Sequence, residues 1–196
     1  MGQPGIAVVG SRHLDETGQE CAKFVGNACG LSGQVLYSGG ARGVDTLNIS
    51  ALKARGTAVG VLAESLEKQV KSRKEALGRG DLSLVTPYSP NAGFSVGAAM
   101  GRNRLIYCLA DYAIVVASDA ETGGGTWAGA AETLKNNWVS VFVLEHSQMP
   151  DGNKLLLQNG ALALPHPFKA KPIKLPEWFK EKAARLPSQP SQPSLF

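Results

Sequence analysis

A guanidinium can donate two hydrogen bonds to one phosphate, and glycine lets a backbone approach the same anion closely. The stretch Tyr37-Ser38-Gly39-Gly40-Ala41-Arg42-Gly43-Val44-Asp45 puts both together. The apolar run Val35-Leu36-Tyr37 stops at the glycines, and Val44, Leu47, Ala51 and Ala54 then recur on one helical face. The pattern is a strand, a glycine-rich turn and a helix start, where unpaired amides and Arg42 would favour a phosphate. Read without a ligand, it is a tight strand-to-helix turn with Arg42 in solvent, and Asp45 is an intramolecular partner for Arg42.

Two further turns have the same character. Ile6-Ala7-Val8-Val9 ends at Gly10-Ser11-Arg12, and Tyr112 to Ala117 runs into Asp119-Ala120-Glu121-Thr122-Gly123-Gly124-Gly125-Thr126. Strand-end turns on one parallel sheet share its carboxyl edge, so these would converge on one cradle. Arg102-Asn103-Arg104 lies on a helical stretch and is either a set of phosphate donors beside that cradle or a site of helix-surface ion pairing.

The elements that must hold these turns follow a βαβ rhythm. The continuous run 6–9, rich in β-branched residues, reads as a strand buried on both faces, and 58–62, 82–85, 112–117 and 139–144 read as further strands. Helical spacing appears from Asp15 to Cys29 with Gly30 as its stop, from near Met100 to Leu109, through Ala130, Ala131 and Leu134, and briefly around Leu155 to Leu157. Residues 64 to 80 read as a solvated helix face laced with ion pairs. The expected fold is α/β, a Rossmann-like three-layer sandwich with a mostly parallel sheet, over residues 1–164. Seven prolines from Pro165 onward set off residues 165–196 as a basic, partly disordered tail with one short helix from Glu177 to Leu186. Trp178 and Phe179 could pack that helix on the body or stack on bases.

A chain of 196 residues, 43% hydrophobic, can bury one sizeable core. Its net charge of +4 is not spread evenly. Residues 1 to 167 hold fourteen basic and fourteen acidic side chains, so the excess lies in the tail. A neutral body is not a broadly basic nucleic-acid surface, and any such binding must use local clusters. Cys21, Cys29 and Cys108 have no CxxC spacing, which suits a reducing cytosol and argues against a disulfide framework. The three histidines are scattered. No metal and no cofactor is expected, and neither a signal peptide nor a membrane span is read.

Gly10-Ser11-Arg12, Ser38-Gly39-Gly40-Ala41-Arg42-Gly43-Val44-Asp45 and Arg102-Asn103-Arg104-Leu105-Ile106 resemble, in order and spacing, the GSR, SGxARGxD and RNRxI motifs of the DprA/Smf DNA-processing family. The resemblance covers roughly residues 5 to 164 and implies a Rossmann-like sheet, a cytoplasmic protein, homodimerisation, single-stranded DNA binding and loading of the RecA recombinase. It also implies a phosphate-binding rim of Gly10, Ser11, Arg12, Ser38, Gly39, Arg42 and Gly43, with Arg102 and Arg104 beside it; Gly40, Asn103, Gly123, Gly124, Gly125 and Thr126 join the candidates by their place in the same turns and helix, not through the resemblance. Two departures are Ala99-Met100, where the family carries Phe-Pro, and Gly40 in place of Leu.

Gly123-Gly124-Gly125-Thr126 followed by Glu132 also resembles the PGGxGTxxE signature of the Lonely Guy phosphoribohydrolases, which cleave nucleoside 5'-monophosphates. Such cleavage needs a carboxylate near the sugar, and Glu132 is the candidate. Counted from Thr126, however, Gly129 takes the signature's glutamate position. Binding without hydrolysis is therefore preferred, and a non-catalytic nucleotide sensor fits the same cradle. At the other end, Gln192, Leu195 and Phe196 resemble the QxxLF-type peptide that docks bacterial repair proteins on the sliding clamp, an accessible apolar anchor on a polar terminus.

Overall fold

The computed structural model describes residues 5–11, 14–39, 56–121, 124–167 and 174–184. Among them, seven strands form one sheet: β1 (Gly5–Val9), β2 (Val35–Ser38), β3 (Thr57–Val61), β4 (Leu82–Val85), β5 (Tyr112–Val115), β6 (Ser140–Glu145) and β7 (Leu162–Pro165). The order is β4-β3-β2-β1-β5-β6-β7 and every pairing is parallel. The chain therefore builds outward from β1 to β4, returns, and builds outward again on the other side of β1. Strand order reverses between β1 and β5, the place where such sheets open a crevice at their carboxyl edge.

Alternation along each strand sends side chains to two separate cores. Ile6, Val8 and Leu36 pack with Ile114, Phe142 and Leu144 on one face, under Cys21, Val25 and Cys29 of helix α1 (Glu16–Ser32). Ala7, Val9, Tyr37, Val115 and Val143 pack on the other face, under Ile106 and Tyr107 of α4 (Val96–Cys108), Ala130 of α5 (Gly125–Asn136) and Leu156 of α6 (Asp151–Gln158). All five residues of β1 are buried, as the uninterrupted apolar run predicts.

Helix boundaries differ from the sequence reading in instructive ways. Gly30 does not end α1; it is buried inside the helix, and Gly33 closes it at φ 67° with its N–H bonded to the Cys29 carbonyl. At the other end, Asp15 accepts from the Gly18 amide at 2.7 Å and caps the helix. Helix α4 starts at Val96 rather than near Met100, because Ser95 caps the Ala98 amide at 3.0 Å and Gly97 is carried inside the first turn. Residues 66–78 form two short helices, α2 (Leu66–Ser72) and α3 (Lys74–Gly78), broken at Arg73. Their exposed pairs Lys71–Glu67 and Arg79–Glu75 are the expected solvated ion pairs.

The segment after β7 contributes to the core. Helix α7 (Leu175–Ala183) begins with a proline in its first turn and buries Leu175 and Phe179 against the α1 face. The Phe179 ring lies 4.5 Å from that of Phe142, and Trp178 lies 5.6 Å from the same ring. Both aromatics therefore pack on the body, with Lys182 5.7 Å from the Trp178 ring.

Candidate phosphate seat at the carboxyl edge

At the strand-order reversal the turns after β1 and β5 are tied together. The Val116 amide donates to the Val9 carbonyl at 2.9 Å, and the Ser11 amide to the Ala117 carbonyl at 2.9 Å. The parallel ladder thus continues past both strands and sets Gly10-Ser11 beside Ala117-Ser118. From there the chain turns at Asp119, whose carboxylate accepts from the Glu121 amide at 3.0 Å, and enters α5. Gly124 is the N-cap of α5 and, lacking a side chain, supplies no side-chain acceptor to the first amides of the helix, those of Gly125 and Thr126 among them. Uncapped amides at the positive end of a helix dipole suit an anion.

Beside this junction, Ser38 is buried and Gly39 half-buried at the end of β2. The buried Ser38 hydroxyl has no hydrogen-bond partner among the described residues. Arg102 reaches Gly39 from α4. Its Nη1 donates to the Gly39 carbonyl and to the Val61 carbonyl, the latter at 3.0 Å. A Cβ at position 39 would overlap the guanidinium, so any side chain there would have to push Arg102 aside. Arg102 is thus a clamp across the ends of β2 and β3, a use that the phosphate and ion-pair readings of this residue both omit.

Successive helical residues point about 100° apart, and the next two side chains face α5. Asn103 Nδ2 donates to the Gly125 carbonyl at 3.1 Å, registering α4 against the start of α5. Arg104 meets Glu132 through two contacts, Nε to Oε2 at 3.1 Å and Nη2 to Oε1 at 2.9 Å. Hydrogen bonding to Glu132, then its charge, holds the Arg104 guanidinium above its ordinary pKa. This is the helix-surface ion pair of the second reading. Glu132 lies seven residues beyond Gly125 along α5, about 10 Å by helical rise.

One contributor went unread in the sequence. Asn153 of α6 is fully buried and joins β5, β6 and the turn of the seat. Its Nδ2 donates to the carbonyls of Val116 and Leu144, and its Oδ1 accepts from the Ser118 amide and hydroxyl. The available signal was a polar residue sharing a helical face with Leu156 and Leu157. Arg12, Gly40, Arg42, Gly43, Asp45 and Gly123 lie outside the described residues, as do Gln192, Leu195 and Phe196. Among the described residues, no cluster of three or more His, Cys, Asp or Glu could hold a metal ion, and no helix is long and apolar enough to cross a membrane.

An open, all-parallel sheet whose strand order reverses between β1 and β5 defines a Rossmann-like α/β protein. The chain belongs to the DNA recombination-mediator protein A family, whose sequence model matches residues 1–170. It is similar to DNA processing protein A (DprA) from Streptococcus pneumoniae, with 26% identity and a TM-score of 0.69 over 83% of this chain and 58% of that one. The chain therefore spans 58% of the pneumococcal protein's length. DNA processing protein A from Helicobacter pylori, described for its single-stranded DNA binding mode, matches with 22% identity and a TM-score of 0.69, over 83% of this chain and 75% of that one. The molybdenum cofactor binding protein of Rippkaea orientalis shares the fold, with 22% identity and a TM-score of 0.62 over 92% of this chain and 98% of that one. No curated protein matches the chain.

Proposed function

We propose that this chain binds single-stranded DNA in DNA processing or recombination, taking backbone phosphate at the carboxyl-edge seat. The observation that carries the reading is the junction of Gly10-Ser11 with the β5 turn, beside an α5 N-terminus whose N-cap residue, Gly124, has no side chain to cap it. Family membership and the single-stranded DNA bound by the Helicobacter pylori relative support the choice of ligand. Arg12, Arg42 and the amides of Gly123, Gly124, Gly125 and Thr126 are the donors, and Arg102 and Asn103 hold the walls. Pairing of Glu132 with Arg104 favours binding over phosphoribohydrolase chemistry, because the carboxylate is already held by two guanidinium contacts.

A second reading, a sensor for a single nucleotide, is favoured by one observation: Arg102 and Arg104 have partners within the chain, which leaves few cations for a long phosphate track. Fluorescence anisotropy with labelled oligo(dT) at two salt concentrations, with AMP as competitor, separates the two. The DNA reading expects tight oligo(dT) binding that weakens with salt and resists AMP. Displacement at equimolar AMP would favour the sensor, and release of free adenine would restore the enzyme. The cytoplasmic homodimer, the RecA partner and a clamp contact through Gln192, Leu195 and Phe196 belong to the same proposal. Deleting Gln192 to Phe196 should abolish clamp capture and leave oligo(dT) affinity unchanged.

A further inference from the structure

We infer that Asn153 is a positioning residue for the seat, acting through Ser118; the inference rests on the reading of the carboxyl edge as an anion site. The Asn153 amide has two donors and two acceptor lone pairs, and all four are used. Nδ2 donates to Val116 O at 3.1 Å and Leu144 O at 3.0 Å, while Oδ1 accepts from Ser118 N at 2.8 Å and Ser118 Oγ at 2.9 Å. Two carbonyls on one side and two donors on the other fix which end of the amide is nitrogen.

The geometry reaches the ligand edge by a short route. Ser118 follows Ala117, whose carbonyl accepts the Ser11 amide at 2.9 Å, and it precedes the turn that delivers Gly124 to the start of α5. One buried side chain therefore holds the β5 and β6 ends together and aims both turns of the seat. Gly152 makes the approach possible, because a Cβ there would overlap the Ser118 backbone. Ser118 is itself buried, so neither residue touches the ligand, and their effect is on the placement of the amides that do.

Asn153→Asp isolates this role. One carboxylate oxygen can still accept from Ser118, but the other faces two carbonyls with no proton to donate, until a burial-raised pKa restores a neutral acid. Titratable groups on the packed elements are Tyr112 of β5 and Asp119 after it, Glu145 and His146 at the end of β6, Glu132 and Lys135 on α5, and Asp151 and Lys154 on α6. The parent protein carries all of them, so its own pH profile is the baseline. The test measures oligo(dT) and inorganic pyrophosphate affinity by titration, for the parent, Asn153→Asp and the milder Ser118→Ala, below each variant's melting temperature.

The expected result is about a tenfold loss for Asn153→Asp near neutral pH, in line with a buried group left unpaired. Recovery toward the parent is expected as pH falls, and a smaller loss for Ser118→Ala. Unchanged affinity in the folded variants, with only the melting temperature lowered, would reduce Asn153 to a stability role and overturn the inference. A parent protein that binds neither probe would instead remove the anion-seat reading on which it rests. If Asn153→Asp does not fold, equal affinities for parent and Ser118→Ala overturn the inference, and a measurable loss upholds it.

Discussion

Arg102 donates from one terminal nitrogen to two carbonyls, those of Gly39 and Val61, and neither belongs to its own helix. Removing it by Arg102→Ala leaves both carbonyls without this charged donor and should cost about 2 kcal/mol. Gly39→Ala should destabilise as well, by pushing the guanidinium aside. With the guanidinium gone, the added methyl has room, so the double variant should be less destabilised than the two losses combined. Urea denaturation of the four proteins checks this, and additivity within about 0.5 kcal/mol would exclude the clamp. Cys29 makes a pH prediction. Burial pushes its thiol from 9.0 up to about 12, so the folded state keeps a proton that the unfolded chain releases. Stability is full below the unfolded value and falls as pH rises between the two, by about 1.4 kcal/mol per pH unit for this thiol. Burial raises Cys21 in the same direction, and the two slopes add. Urea midpoints measured across that alkaline window should fall less steeply in Cys29→Ala than in the parent.

Among the elements, α1 and α7 carry separable tests. Asp15 accepts the Gly18 amide, and its other oxygen lies 3.6 Å from His146 Nε2. Asp15→Ala should cost about 1 kcal/mol through the lost cap, and Asp15→Asn should recover most of it. Helix α7 depends on Phe179, which is completely buried among Phe142, Tyr112 and Trp178. Phe179→Ala should cost about 3 to 5 kcal/mol and expose α7 to proteolysis before the sheet unfolds. Survival of α7 under limited proteolysis would show that its docking does not depend on this ring. The start of α4 teaches a different lesson. Gly97 sits inside the first turn, where a glycine costs only about 1 kcal/mol, which the Ser95 cap offsets.

For the whole molecule, charge placement sets the expected salt response. A body with equal numbers of basic and acidic side chains has no broad positive field, so few phosphates can be neutralised at once. The dependence of oligo(dT) affinity on salt should therefore be shallow, with a log–log slope magnitude of about 2 to 3, at roughly 0.7 per phosphate contacted. A slope near 7 would mean a long basic track elsewhere on the surface. The sheet also explains how one edge gathers turns from distant segments of the chain. All seven described strands run parallel, so every strand-end turn emerges at the same edge, and the reversal between β1 and β5 parts the loops there.

The order of strands and helices was legible in the amino-acid sequence, because strands buried on both faces must be continuously apolar and helices must repeat every three to four residues. Ile6 to Val9, Tyr112 to Val115 and the α1 stripe from Cys21 to Cys29 all carry that signal, and so do the glycine turns at Gly10, Gly39 and Gly124. Partners were not legible. That Arg102 grips Gly39 and Val61, that Arg104 holds Glu132, and that Asn153 ties Ser118 to β5 and β6 depend on contacts spanning up to 63 positions along the chain. Side-chain type states what a residue can bond to, and only the folding of the sheet and helices around it decides which of those groups arrives within reach.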